Sequence, residues 1–223
     1  MLELTREGPV FVLRLDHGEN RYDPPILAEI DKALDEVERA DGPAALVTTG
    51  TGKFYSNGLD VAHMGGLQPA DVAKYVKSVM KIMGRILAFP MTTVAAVNGH
   101  AFGAGAQIAV AHDFQIMRAD RGYYCMPEID MRAPLHPAMT AILQSRLPVR
   151  TVHQVIATGR RFGGEEAAGL QIVDRAVPED QVLPTAVVMA AELAPKAHPA
   201  MGVLKRDMYQ HVLAAIDEPL PGM

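Results

Sequence analysis

Apolar and polar positions change their period several times along the chain. Residues 2–6 alternate, Glu7-Gly8-Pro9 forms a turn signal, and residues 10–15 carry apolar side chains on both faces, which predicts a β-hairpin. The period then lengthens. Asp23-Pro24 supplies an N-cap and a first-turn proline, and Ile26, Leu27, Ile30, Leu34 and Val37 recur at helical spacing until Asp41-Gly42. Residues 44–49 read as a short buried strand. The stretch 50–64, with three glycines and few core residues, reads as a loop before a helix over about 69–89. Residues 92–97 form the next strand, which runs directly into Asn98-Gly99-His100-Ala101-Phe102-Gly103-Ala104-Gly105-Ala106. Strand, helix, strand, glycine-rich turn and helix is the grammar of βαβ units, so the fold class is α/β. Short strands are predicted at 114–117 and 122–126, separated by Asp120-Arg121-Gly122. Helices are predicted at 138–147, 149–158, 165–170, 180–193 and 199–215, with one strand at 172–177. Residues 1–177 thus form the α/β core and 178–223 a helical tail, with no repeat or linker dividing the chain.

Composition narrows the class. Hydrophobic residues make up 49% and charged residues 21%, the balance of a chain that folds around a core. Lysine and arginine number 21 against 26 acidic residues, a net charge of −5. No basic block stands ready to neutralise a run of phosphates, which argues against a nucleic-acid partner. The single cysteine, Cys125, leaves no internal disulfide or multi-thiolate metal site and fits a reducing compartment. No apolar run reaches the roughly 18 residues of a membrane span, and Glu3, Arg6 and Glu7 stand where a signal peptide would be apolar. Pro221-Gly222-Met223 differs from the Ser-Lys-Leu type of peroxisomal address. The expectation is a soluble, cytoplasmic protein without membrane association.

Three segments can carry chemistry. In Lys53-Phe54-Tyr55-Ser56-Asn57-Gly58-Leu59-Asp60, a glycine lets the backbone turn so that the following amide points into a cavity; an ordinary strand-to-helix loop would read the same. In Gly103-Ala104-Gly105-Ala106-Gln107, small residues at a helix start allow close backbone approach, and the free amides there can receive a developing oxyanion. Tight packing of a helix on a sheet also selects small residues. The segment matches neither the dinucleotide-binding nor the Walker phosphate pattern. In Met126-Pro127-Glu128-Ile129-Asp130, a carboxylate among apolar neighbours is either a base with a raised pKa or a solvated helix start. The histidines show no metal-ligand spacing, and Ser56 and Ser145 lack the Gly-x-Ser-x-Gly elbow of serine hydrolases. Met80, Met83 and Met64 suit a core or an adaptable pocket. Asp60 suits a helix cap, and Lys53, Lys74, Lys77 and Arg85 suit either the phosphates of a ligand or a solvated face.

Taken together and in this order, the three segments resemble the crotonase superfamily of enoyl-CoA hydratases and isomerases. The spelling Ser56-Asn57-Gly58-Leu59-Asp60, His112-Asp113, Met117-Arg118, Asp120-Arg121-Gly122 and Glu128-Ile129-Asp130 is most similar to the monofunctional 3,2-enoyl-CoA isomerases of the peroxisomal and plant type. The resemblance implies a ββα spiral core with a helical carboxyl-terminal part, assembled as a trimer or hexamer. It implies an acyl-CoA thioester substrate, with coenzyme A as part of that substrate and no separate cofactor or metal. By the same match, the amides of Leu59 and Ala104 form an oxyanion hole, Glu128 is the catalytic base and acid, and Ser56, Asn57, Gly58, Gly103 and Gln107 belong to the substrate site. Hydratases of the family use two glutamates, and the position of the first is Gln107 here. Glutamine orients water but does not accept its proton near neutral pH, which points to isomerisation. Ala133-Pro134-Leu135-His136-Pro137-Ala138 replaces the glycine-rich segment that many hydratases carry after the Pro-Glu pair.

Overall fold

A computed structural model describes residues 1–220; the Pro221-Gly222-Met223 end, read above for a targeting address, lies outside the described residues. The hairpin forms as the alternation predicts. β1 (Leu2–Glu7) pairs antiparallel with β2 (Val10–Leu15) through a turn in which Gly8 takes a positive φ. α1 (Pro24–Glu38) starts where the Asp23 carboxylate accepts the Ile26 amide and where proline loses no hydrogen bond. β3 (Ala45–Gly50) follows it.

The stretch predicted as a loop from 50 to 64 holds two short elements, β4 (Phe54–Ser56) and α2 (Val61–Gly65). Each is too short to show a period. Asp60 caps α2 by accepting the amides of Ala62 and His63. α3 (Pro69–Leu87) and β5 (Thr92–Val97) lie where the periodicity puts them. The glycine-rich turn after β5 contains another short strand, β6 (His100–Phe102), before α4 (Ala104–Ala111). β7 (Phe114–Arg118), β8 (Tyr124–Cys125), α5 (Pro137–Arg146), α6 (Val149–Thr158), α7 (Gly164–Gly169) and β9 (Arg175–Val177) continue the chain.

β1, β2, β3, β5, β7 and β9 lie in that order in one sheet, parallel after the first pair. β4, β6 and β8 form a second, parallel sheet. Each strand of the small sheet follows one of the large sheet, which is the two-strands-then-helix spiral.

Both faces of the large sheet are covered, so its strands carry apolar side chains on both sides. Val10, Val12, Val47, Val94 and Ile116 point to one face, against Val182, Ala186 and Ala190 of α8 (Glu179–Leu193). Phe11, Leu13, Leu46, Val97 and Met117 point to the other, against α1, α3 and α4. Met80 and Met83 are buried in that second layer. The helix predicted over 199–215 is broken into α9 (Pro199–Met208) and α10 (Gln210–Ala215). The break falls at Tyr209, which is buried and whose hydroxyl receives a hydrogen bond from Arg146 of α5. Turning the chain there lays α10 along α5. No helix among the described residues is long and apolar enough to cross a membrane.

Candidate active site

Two segments far apart in sequence touch here through glycine backbones. After β4 the chain turns at Gly58, whose φ is +80°; a Cβ there would stand 2.6 Å from the Phe102 carbonyl oxygen and 3.0 Å from the Ala104 nitrogen. Only glycine meets both conditions. A Cβ on Gly105 would in turn come within 2.4 Å of the Ser56 carbonyl oxygen. Ser56 is fully buried, donates its hydroxyl to the Asn20 carbonyl at 2.6 Å, and accepts the Gly58 amide at 3.1 Å.

The neighbouring amides are spoken for: Gly58 by Ser56, Asp60 by the Tyr75 hydroxyl, and Gly103 by the Cys125 carbonyl. Those of Leu59 and Ala104 have no acceptor among the described residues. Ala104 is the first residue of α4, and the first backbone bond back into this turn is that from Gln107 to Gly103, so its amide belongs to the open donors of a helix start.

Both residues line a cavity of about 420 Å³, and so do Asn57, Gly103 and Glu128. Glu128 follows Pro127 in a tight turn closed by the Ala133 and Met131 amides. Its Oε1 lies 3.4 Å from where a Cβ on Gly103 would sit, and its Oε2 is buried without a hydrogen-bond partner among the described residues. Burial pushes this carboxyl above the usual carboxylate range. The rest of the lining is largely apolar: Met64, Val76, Leu135 and Met139 among others. Among the described residues, Glu128 is the one carboxylate in the lining.

Ser56, Gly58 and Gln107 stand behind the cavity and do not line it. Ser56 and Gly58 hold the turn that presents Leu59. Gln107 is 1% exposed on α4, with neither amide atom hydrogen-bonded among the described residues. Of the candidate cations, Lys74 pairs with Asp71, Lys77 with Asp217, and Arg85 with Asp31, Asp35 and Glu38, while Lys53 lies over the Phe54 ring. His112 is a core residue between Thr48 and the Ile108 carbonyl, its pKa pushed down to about 4 by burial. No group of three or more His, Cys, Asp or Glu side chains suited to a metal ion gathers among the described residues.

Arg21 and Leu220 carry no signal in the sequence, and His136 is marked there only by its place in the segment after the Pro-Glu pair. Arg21 binds Glu19 through Nε and Nη2 and the Leu59 carbonyl through Nη1. Asn57 also donates to Glu19, so the polar rim is one network. His136, which caps α5, and Leu220 close another part of the wall. No local pattern marks Arg21 or Leu220, because tertiary folding brings them to the cavity.

The family model described as "Enoyl-CoA hydratase/isomerase" matches residues 5–218. The chain belongs to that family. The match extends across the helical segment after Val177. The chain is 33% identical over 206 residues to the peroxisomal enoyl-CoA delta isomerase 2 of Arabidopsis thaliana, covering 88% of this chain and 86% of the relative. It is 31% identical to a putative enoyl-CoA hydratase of Thermus thermophilus, covering 90% and 81% of the two chains. The crystal structure of an enoyl-CoA hydratase from Mycobacterium ulcerans superposes with a TM-score of 0.88 at 24% identity, covering 97% of this chain and 96% of that one. The spiral described above is thus the crotonase fold, and the protein is an enzyme of the enoyl-CoA hydratase/isomerase family.

Proposed function

We propose that the protein is a 3,2-enoyl-CoA isomerase, converting a 3-enoyl-CoA to the 2-enoyl-CoA with Glu128 as the only proton carrier. The observation that carries this reading is that, among the described residues, one carboxylate lines the cavity beside two backbone amides without an acceptor. The thioester oxygen is placed between the amides of Leu59 and Ala104. The ionised Glu128 takes the proton from C2, and the C–H electron pair moves into the conjugated system to give a dienolate whose charge rests on that oxygen. Glu128 then returns the proton to C4 while the carbonyl re-forms, leaving the double bond between C2 and C3. Nothing is added or lost.

The amides act mainly on the dienolate, because the oxygen carries more charge there than in the thioester. A base with a raised pKa suits both halves of the cycle, accepting a proton and giving it back. The delta-isomerase name of the Arabidopsis relative supports the reading. The hydratase name of the Thermus relative keeps water addition as the rival; that reaction asks for a second group to activate water, and Gln107 stands where the family's hydratases carry a glutamate.

The test is product analysis on a panel of 3-enoyl and 2-enoyl thioesters by chromatography and mass spectrometry. Isomerisation changes retention at constant mass. Dominant addition of the mass of water would replace the isomerase reading with hydration, release of free coenzyme A would replace it with thioester hydrolysis, and binding without turnover would leave a scaffold.

A further inference from the structure

One wall of the cavity is built by a segment that the chemistry above does not use. After α10 the chain passes the cavity, and Leu220 joins Val76, Leu135 and Met139 in its apolar lining. Three ties hold this segment. Ile216 is buried against Gly84 of α3, where a Cβ would come within 2.5 Å of the Ile216 Cδ1. Lys77 of α3 pairs with Asp217 at 2.7 Å, but both side chains are open to solvent, so this pair contributes little. The third tie is His136, only 1% exposed, whose Nε2 lies 2.8 Å from the Glu218 carbonyl oxygen. Its Nδ1 accepts the Ala138 amide at 3.1 Å. With Nδ1 acting as acceptor, the neutral ring carries its proton on Nε2, aimed at Glu218. One buried ring therefore starts α5, lines the cavity and fastens the segment that ends in Leu220.

We propose that Leu220, fastened through His136, sets the length of acyl chain that the cavity accepts. The inference rests on the acyl-CoA reading for the identity of the ligand. A leucine in the wall occupies space that an alanine there would release to the acyl chain, and that space has the same apolar character as the remaining lining. Discrimination by such a wall is about 10–200-fold for each methylene that does or does not fit. Leu220 thereby acts on specificity and takes no part in proton transfer.

The experiment is calorimetric titration of the full chain with saturated butanoyl-, octanoyl-, dodecanoyl- and hexadecanoyl-CoA, which bind without turnover. Leu220→Ala is expected to shift the ratio of long-chain to short-chain affinity towards long chains by about tenfold or more, and Leu220→Trp to shift it the other way. His136→Asn keeps a good N-cap for α5 but is too short to reach Glu218; it is expected to shift the ratio in the same direction as Leu220→Ala, by less. Superposable chain-length profiles for the parent and both Leu220 variants overturn the wall, and a parental profile in His136→Asn overturns the fastening. Both results leave the acyl-CoA reading standing. Failure of the parent to bind any of the thioesters overturns that reading and this inference with it.

Discussion

Gln107 is buried and Glu128 half-buried, both have unsatisfied polar atoms, and they answer different demands. For Glu128 this is useful: partial burial raises its pKa and makes it a stronger base than a carboxylate in solution. Its substitution by glutamine keeps the shape and removes the basicity, and is expected to lower kcat by about 10²–10⁴-fold while acyl-CoA binding persists. Steady-state kinetics with calorimetric binding checks this. The raised pKa also fixes a sign for stability. In the folded protein Glu128 holds its proton more tightly than in the unfolded chain, so its contribution is fully present below the ordinary glutamate pKa of 4.5 and is lost as pH rises through the higher folded value. Glu128→Gln should therefore melt above the parent at neutral pH, with the gap closing in acid, and the parent's activity should rise with pH through the same raised pKa. Gln107 has no such assignment. Replacing it with methionine removes an orphaned amide whose burial costs about 1–3 kcal/mol, and denaturant melts should show the variant at least as stable as the parent. A less stable variant would reveal an ordered water satisfying that amide.

At the scale of elements, the start of α4 decides the site. Ala104 is its first residue, the position at which proline is tolerated because the amide makes no helical bond. Ala104→Pro should therefore fold, as judged by circular dichroism and melting, and yet lose about 10²–10³ in kcat through the missing donor. A folded variant with parental kcat would show that this amide does not face the reacting oxygen. The same region shows how far local pattern reaches. α1, α3 and β5 were legible because each is long enough to show a period and the helices begin at prolines. β8 falls inside the strand predicted at 122–126, but β4 and β6 were not legible: three residues carry no period, and each is held by partners brought from elsewhere in the chain. The break at Tyr209 was equally hidden, since its hydrogen-bond partner Arg146 lies 63 positions away. Within the site, Glu128 and the glycine segments stood out by residue type and order. Arg21 and Leu220 did not, because their placement depends on packing between distant elements, and His136 stood out only through the segment that carries it.

Across the whole molecule, the region after Val177 is tied to the sheets at more than one place. α8 covers one face of the large sheet. α9 is pinned by Lys205, whose ammonium lies 2.6 Å from the Asp113 carboxylate and 2.9 Å from the Met91 carbonyl. Asp113 also accepts the Thr93 amide, so one carboxylate joins β5, the start of β7 and α9. Lys205→Met keeps much of the stem and leaves Asp113 without its cation. Breaking a buried pair costs about 3–5 kcal/mol, and partial exposure of Asp113 puts this case at the lower end, near 3 kcal/mol. Equilibrium unfolding in urea measures it, and an unchanged midpoint would mean that α9 is held by its apolar contacts alone. In the proposed reaction one carboxylate moves one proton between two carbons. The direct measurement is a single turnover of a 3-enoyl-CoA deuterated at C2, in ordinary water, with the label located by NMR. Deuterium is expected to be carried in part from C2 to C4 by the parent, with no loss of C2 label in Glu128→Gln. Transfer of the label by the Glu128→Gln protein at the parental rate would contradict this role of Glu128.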